Sequence, residues 1–405
     1  MARSLLWLLH QPPLPAVTGA RVRSLALVRE LATRGWDVSL FALDTGVPAQ
    51  PADLDELRAL CAEVRIVRHD VPRALRMARI GADLARGRAF QHSMFRSPAA
   101  VREAHAWIAA AGFDAIVAAG LYMLPYVPPA ALPRTLLDSQ NVDTERIATM
   151  AAALWPRPRG VLARLQQRPV RRYEERAAAS AGGVLAVSEP EARWFERVAP
   201  GRVTLVANGV DAASVAARGA AVPDGPVLFV GSLDYGANVD AAHVLLDEIA
   251  PRLTHAGARI ALVGALPPPR LRAAAAAASV PVEVTGRVAQ IAPWFAGSRV
   301  LVVPLRIGGG TRLKILEAMA YGLPVVTTSL GCAGLDVEHG RDIIVADDHA
   351  EFARWVDRLL GDDALAHAIG SAGRATVQRR YAWSTIGDAL EAALSGLPQP
   401  QPQTS

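Results

Sequence analysis

The residues best placed to do chemistry lie between two apolar runs. Val300-Leu301-Val302-Val303 is followed by Arg306-Ile307-Gly308-Gly309-Gly310-Thr311-Arg312-Leu313-Lys314, then by Glu317, and then by Leu323-Pro324-Val325-Val326. A short continuous apolar run predicts a buried parallel strand, three glycines permit close backbone approach to a ligand, and the residues after them have helical spacing. The pattern reads as strand, glycine loop, helix, strand, and the amides of such a loop can hold an anion. Of the 43 basic residues only Lys314 is a lysine. Arg312 and Lys314 fall in the first turn of the expected helix, where the macrodipole disfavours positive charge by about 0.3–1 kcal/mol. Two cations set against the dipole point to a bound anion, and Glu317 converges on the same place.

The elements that must position these residues repeat one pattern twice. Leu5 to Leu9 reads as a strand, Gln11 to Thr18 as a proline-rich loop ending at Gly19, Arg21 to Arg34 as a helix with Gly35 at its C-cap, and Val38 to Phe41 as the next strand. This unit begins a doubly wound sheet without a GxGxxG fingerprint. Further strands are expected at Val64–Val67, Phe113–Val117, Thr135–Asp138, Gly183–Ser188 and Val203–Val206. Where Thr135–Asp138 stops, Ser139-Gln140-Asn141-Val142-Asp143 gathers polar groups, and ligands bind at C-terminal strand ends in open α/β sheets. A second alternating series has strands at Val227–Val230, Arg259–Val263, Val282–Val284, Val300–Val303, Val325-Val326 and Ile343–Val345.

The expected organisation is α/β, with two Rossmann-like doubly wound domains facing a cleft. They span residues 1–211 and 227–380, joined by an aperiodic linker at 212–226. A helix at 381–395 is expected to pack back across the domain junction, and 396–405, rich in proline and glutamine, is expected to be disordered. A ligand site between the domains follows from this arrangement.

With 405 residues, 51% of them apolar, the chain is large enough for two domains with full cores. No apolar run reaches the roughly 18 residues of a spanning helix. Leu5 to Leu9 ends in Gln11-Pro12-Pro13 without a small-residue cleavage site, so it reads as a first buried strand rather than a signal peptide. Cys61 and Cys332 imply neither a disulfide framework nor a metal cluster, which suits a reducing cytoplasm. The net charge of +5 is uneven, because arginines outnumber acids in the first half only. Two stretches supply most of it: Arg73, Arg76, Arg79, Arg86 and Arg88, and then the arginines from Arg157 to Arg176. Such a face suits anionic lipid, a phosphate-bearing acceptor or nucleic acid. The lack of zinc spacing, of an aromatic RNP-like run and of a basic zipper argues against nucleic acid.

Taken in order, the Gly19 loop, Asp138-Ser139-Gln140-Asn141-Val142-Asp143, Val187-Ser188-Glu189, Asn208-Gly209-Val210-Asp211, Gly231-Ser232-Leu233-Asp234-Tyr235 and Gly308 to Gly322 with Pro324 form a recognisable series. On these residues the chain resembles the GT-B glycosyltransferases of the group-1 (GT4) class, particularly the bacterial sugar transferases of polysaccharide assembly. The resemblance implies a nucleoside-diphosphate sugar donor held by the second domain, a glycan or lipid-linked acceptor held by the first, retention at the anomeric carbon, and no metal or other cofactor. Gly308, Gly309, Gly310 and Thr311 would give amides to the diphosphate, with Lys314 or Arg306 as the cation. Glu317 would accept from the ribose; the alternative is an i,i+3 pair with Lys314 worth about 0.2–0.5 kcal/mol. Gly19 and Gly231 are further substrate-binding positions, and Arg287 would line the base pocket. Asn141, with Asp143, would contact a sugar, against an alternative of turn chemistry. His10 is a candidate for polar lining at the end of the first strand, and Cys332 reads as a small filler.

Three departures from the class stand out. Gly309 occupies a position where a glutamate is usual, no basic residue occurs from Gly231 to Asn238, and Gln140 stands where relatives often carry histidine. The implied activity is a retaining glycosyltransferase of polysaccharide or envelope glycan synthesis, cytoplasmic and peripheral on the inner face of the membrane, where an anionic surface would be a partner. Its rivals are a UDP-sugar 2-epimerase-like isomerase and a non-catalytic nucleotide or glycan binder. An epimerase would be expected to carry added carboxylates and histidines around one sugar, and this sequence is poor in both there.

Overall fold

The computed structural model describes residues 3–69, 71–212, 215, 222–307 and 313–398. Gly308 to Arg312, most of the expected linker and the end of the tail lie outside the described residues. The chain divides into two compact units, one reaching to Ala207 and resuming at Ile386, the other Asn208–Thr385. The boundary therefore falls before residue 211, and from Ile386 the C-terminal helix Trp383–Ser395 belongs to the first unit. There Arg34 Nη2 donates to Asp388 Oδ1 at 2.9 Å, and Trp36 Nε1 donates to Glu391 Oε1 at 3.3 Å.

In the first unit β1 (Ser4–Leu9), β2 (Asp37–Asp44), β3 (Glu63–Arg68), β4 (Ala115–Ala119), β5 (Thr135–Ser139), β6 (Gly183–Ala186) and β7 (Val203–Leu205) form one parallel sheet, ordered β3-β2-β1-β4-β5-β6-β7. The unbroken apolar run of β1 is explained by its place, because Leu5 to Leu8 are fully buried between helices on both faces. β4 begins two positions later than its apolar pattern suggested. Asp114 accepts from the amide and hydroxyl of Ser4 at 2.7 and 3.0 Å, so it fastens the start of β1 instead of joining the ladder.

The second unit contains β8 (Val227–Val230), β9 (Ile260–Val263), β10 (Val282–Gly286), β11 (Val300–Val303), β12 (Val325–Thr327) and β13 (Ile344–Val345), ordered β10-β9-β8-β11-β12-β13 and also parallel. Strand order reverses at β1/β4 and at β8/β11. Loops leaving the C-terminal ends of these four strands are the places where an open α/β sheet takes a ligand.

Two helices of the first unit bear on the polar loop after β5. The helix Asp143–Leu154 starts directly after the polar loop, with Val142 at its N-cap. Its orphan amides are met from a distance: Glu174 accepts from Asp143 N at 2.7 Å and Thr144 N at 2.9 Å. Glu174 is fully buried, and burial pushes its carboxyl up to about 7 although the amide bonds and Thr144 pull it down. The helix Pro158–Ser180 runs through Pro169, whose ring costs about 3 kcal/mol in a helix interior. Its buried positions Gly160, Ala163, Val170, Glu174 and Ala177 recur on one face, and packing of that face offsets the loss.

Asp138, at the end of β5, forms a buried ion pair with Arg23 of the helix Gly19–Thr33. Arg23 Nη2 lies 2.8 Å from Asp138 Oδ1, both side chains are at most 1% exposed, and Arg23 Nη1 donates to Ala207 O at 2.8 Å. One guanidinium thus joins the first helix, the fifth strand and the end of the unit. Asp138→Ala would leave that charge buried and uncompensated, at a cost of about 3–5 kcal/mol. Urea unfolding should show this loss, with much of it recovered in Asp138→Leu combined with Arg23→Met. A single variant within 1 kcal/mol of the parent, on the same scale, would contradict the assignment.

Candidate functional site

Of the expected donor-side residues, Gly231 and Lys314 meet at the end of β8. After β8, Gly231 N donates to Val263 O at 3.0 Å and Leu233 N to Ala265 O at 2.8 Å, so the loops following β8 and β9 are zipped together. A Cβ on Gly264 would stand 1.8 Å from Gly231 O, which only the absence of a side chain allows. At Gly231 itself a Cβ would stand 2.7 Å from Asn238 Nδ2 and 2.8 Å from Lys314 Nζ. The space next to Gly231 is therefore filled by the ammonium group of the chain's single lysine.

Lys314 lies in the first turn of the helix Leu313–Ala320, where an opposing dipole makes its charge costly without local support. Support comes from Asn238 Oδ1, which accepts from Nζ at 2.9 Å, and from the Phe229 ring of β8, whose centroid is 4.9 Å away. Asn238 is held in turn, donating from Nδ2 to Ser232 O at 2.9 Å. The stretch Gly231 to Asn238, without a basic residue, thus supplies an amide that orients a lysine from elsewhere. Sequence reasoning missed Asn238 and Gly264; the only signal was a polar residue in the first turn of the helix Gly236–His243.

Glu317 sits one turn beyond Lys314 and is half-buried. Burial pushes its carboxyl pKa up, and the Lys314 charge pulls it back down, so the two groups sense one another. Tyr321, one turn further, stacks on Phe295 at 5.5 Å. Arg306, the other proposed cation, is committed differently: its Nε and Nη2 donate to the two Asp240 oxygens at 2.8 Å each, which holds its pKa above the ordinary arginine value. Arg287 is exposed after the edge strand β10, two strands from β8 and so about 10 Å across the sheet. The loop after β11 is anchored by Thr328, whose Oγ1 donates to Leu305 O at 2.5 Å. Cys332 is half-buried, and burial raises its thiol pKa, as suits a filler rather than a nucleophile. The expected diphosphate cradle, Gly308, Gly309, Gly310 and Thr311, lies outside the described residues.

In the first unit Gly19 is exposed at the start of its helix, next to Thr18, whose hydroxyl accepts from Arg21 N. Asn141 is half-buried, and its carbonyl accepts from Ser139 Oγ at 2.9 Å. Asp143, the first residue of its helix, pairs with Arg146 at 2.6 Å. Gln140 Nε2 lies 3.3 Å from Asp138 Oδ2 and so braces the buried ion pair. His10 follows β1 and packs between Phe95 and Tyr122, with centroids 4.9 and 4.8 Å away. Burial, and then the Arg21 charge, lower its pKa to about 4, so the ring is neutral near pH 7.

Two family models match this chain. Glycosyltransferase Family 4 covers residues 17–214, and Glycosyl transferases group 1 covers residues 225–362. The chain is built from the two domains of a group-1, family-4 glycosyltransferase. Its two parallel-sheet Rossmann-like units give this glycosyltransferase the GT-B fold. Sucrose-phosphate synthase from Thermosynechococcus elongatus superposes with a TM-score of 0.69 at 18% identity, covering 96% of this chain and 98% of that one. HepE from Anabaena, solved in complex with UDP and glucose, gives 0.67 at 16% identity, covering 98% and 100%. The GDP-mannose-dependent alpha-(1-6)-phosphatidylinositol monomannoside mannosyltransferase of Mycobacterium tuberculosis is 33% identical over 125 residues, 28% of this chain and 32% of that protein. Matches to curated relatives cover between 16% and 51% of those proteins' own lengths.

The two glycines of the second unit should respond differently to alanine. At Gly264 the obstacle is backbone, so Gly264→Ala should cost about 1–3 kcal/mol or more in urea unfolding. At Gly231 both obstacles are ends of side chains that can swing aside, so Gly231→Ala should cost less than about 1 kcal/mol. Equal losses would contradict the packing described.

Proposed function

We propose that the protein is a retaining glycosyltransferase that moves a sugar from a nucleoside-diphosphate donor to a glycan or lipid-linked acceptor in polysaccharide or envelope glycan synthesis. The observation that carries this reading is the Lys314 ammonium, seated against Gly231 at the β8/β11 reversal and oriented by Asn238 and Phe229. A cation fixed before the ligand arrives costs no reorganisation when charge develops on a departing diphosphate. Amides from Gly308 to Thr311 complete the anion site in this scheme, and Glu317 accepts from the ribose. The reading assigns no catalytic step to a metal, because Lys314 supplies the positive charge. Arg306 is secondary, since its Nε and Nη2 are already engaged by Asp240. Support for a nucleotide donor also comes from the structural relative that holds UDP and glucose. Asn141 is assigned to the acceptor side.

Lys314→Ala should lower kcat/KM for the donor by about 10²–10³, the range for losing one preorganised charge stabiliser. Glu317→Ala should weaken donor binding about tenfold, and Gly231→Ala should weaken it by displacing the ammonium. Turnover and donor affinity unchanged in Lys314→Ala and Glu317→Ala would remove the reading. NMR of the product should find the donor's anomeric configuration retained. Conversion of UDP-N-acetylglucosamine without any acceptor would instead favour an isomerase, and tight nucleotide binding with neither transfer nor donor hydrolysis would favour a binder.

The same reading places the protein in the cytoplasm, resting on the inner face of the membrane. Among the described residues no helix is long and apolar enough to cross a bilayer. Trp155 and Leu165 are 53% and 70% exposed among Arg157, Arg159, Arg164 and Arg168, and the Arg164 guanidinium lies 4.9 Å from the Trp155 ring. Each arginine near anionic lipid adds about 1 kcal/mol. Co-sedimentation should be stronger with anionic than with neutral vesicles and should fall when Arg157, Arg159 and Arg164 are changed to glutamate; equal sedimentation with both would reject surface attachment.

A further inference from the structure

Arginines from the two basic stretches of the sequence, together with Arg96, meet at one groove of the first unit. It has a volume of about 830 Å³ and lies between residues 87–96, the connection from β4 to β5, and the C-terminal half of the helix Pro158–Ser180. Arg88 and Arg96 line it from one side, and Arg172 and Arg176 from the other. Leu124, Val127, Leu132 and Ala177 give it an apolar floor. The two sides are locked together, since Phe90 N donates to Gln166 Oε1 at 3.1 Å and Ala89 packs with Ala163 and Val170.

Charge in this groove is arranged in an unusual way. Arg172 and Arg176 are one helical turn apart, a mutually repulsive spacing on one face. The acidic residues nearby in sequence are turned to other uses. Glu174 caps the helix Asp143–Leu154, Glu175 pairs with Arg171, and Asp83 accepts from Ser93. Among the described residues no carboxylate pairs with any of the four groove arginines. His92 Nε2 lies 3.0 Å from Arg96 Nη1, and burial with the Arg96 charge lowers its pKa. The wall is rigid as well: His92 meets Tyr173 edge-on at 6.0 Å, Tyr173 donates to Leu121 O at 3.3 Å, and His105 Nε2 lies 3.2 Å from Pro125 O.

The geometry points to a binding site for an amphiphile with a phosphate head, separate from the donor site in the other unit. Guanidinium forks match phosphate oxygens, and a pocket of this size holds a head with several carbons of an apolar body. A bare anion would use the rim and leave the floor wet; a neutral lipid would leave the arginines repelling one another.

Titration calorimetry of the full chain, with the donor unit saturated by a nucleoside diphosphate, tests this. Dihexanoyl phosphatidic acid, kept below its micellar concentration, should bind at one site. Dihexanoyl phosphatidylcholine and glycerol 3-phosphate should each bind at least about tenfold more weakly, one lacking net charge and the other the chains. Arg172→Ser with Arg176→Ser, and separately Arg88→Ser with Arg96→Ser, should each weaken phosphatidic acid about tenfold or more. If one pair fails to fold by circular dichroism, the other decides. Undiminished affinity in the folded paired variants, no binding by the parent, or phosphatidylcholine bound as tightly would overturn the proposal. Glycerol 3-phosphate bound as tightly as phosphatidic acid would also overturn it, since the floor would then play no part.

Discussion

Much of the second unit's chemistry depends on one missing side chain. Residue 231 has no Cβ, and the volume where one would stand is bordered by the Lys314 ammonium and the Asn238 amide. The two loops can nest because Gly264 is bare, and the bare Gly231 leaves room for the Lys314 ammonium at the strand reversal. A positive charge at a helix start is unfavourable by about 0.3–1 kcal/mol, and a hydrogen bond from Nζ to Asn238 with an aromatic face nearby offsets a cost of that size. The lysine is thereby oriented before any ligand arrives, which is the condition for it to favour a transition state over a ground state.

The first unit meets its electrostatic demands in the opposite way, by deep burial. Arg23 and Asp138 are almost fully removed from water, each takes the other as its partner, and Ala207 O accepts from Arg23 Nη1. Glu174 is less balanced: two amides hold it, yet burial still carries its carboxyl up to about 7. Its folded pKa is above the unfolded value, so its contribution to stability is fully present below the unfolded value and is lost as pH rises through about 7. The same helix that presents Glu174 inward presents Arg172 and Arg176 outward, so one element carries both a structural cap and a cationic groove.

Strands were legible in the sequence because burial on both faces writes an unbroken apolar run, as in Leu5 to Leu9 and Val300 to Val303. The helix Asp143–Leu154 was not, because its N-terminal amides are met by Glu174, which lies 31 residues further along the chain than Asp143. Lys314 stood out by being the single lysine, and Glu317 by its spacing. Asn238 and Gly264 did not, since their parts depend on two loops meeting in space. Arg306 looked equivalent to Lys314 in sequence; only the geometry separates them, because Asp240 engages the Nε and Nη2 of its guanidinium. Asp138 read as the end of its strand, and nothing in the sequence marked its carboxylate as turned inward to Arg23.

The central claim, a preorganised nucleoside-diphosphate site, is tested most directly by thermal unfolding with a panel of nucleotides and nucleotide-sugars. A ligand that binds only the folded protein, at a hundred times its dissociation constant, adds about 2.7 kcal/mol of stability. The account predicts that at least one nucleoside diphosphate and its sugar conjugate stabilise the protein by about that amount at saturation, while the matching nucleoside without phosphates does not. Stabilisation by none of the nucleotides, or equal stabilisation by nucleoside and nucleoside diphosphate, would contradict it.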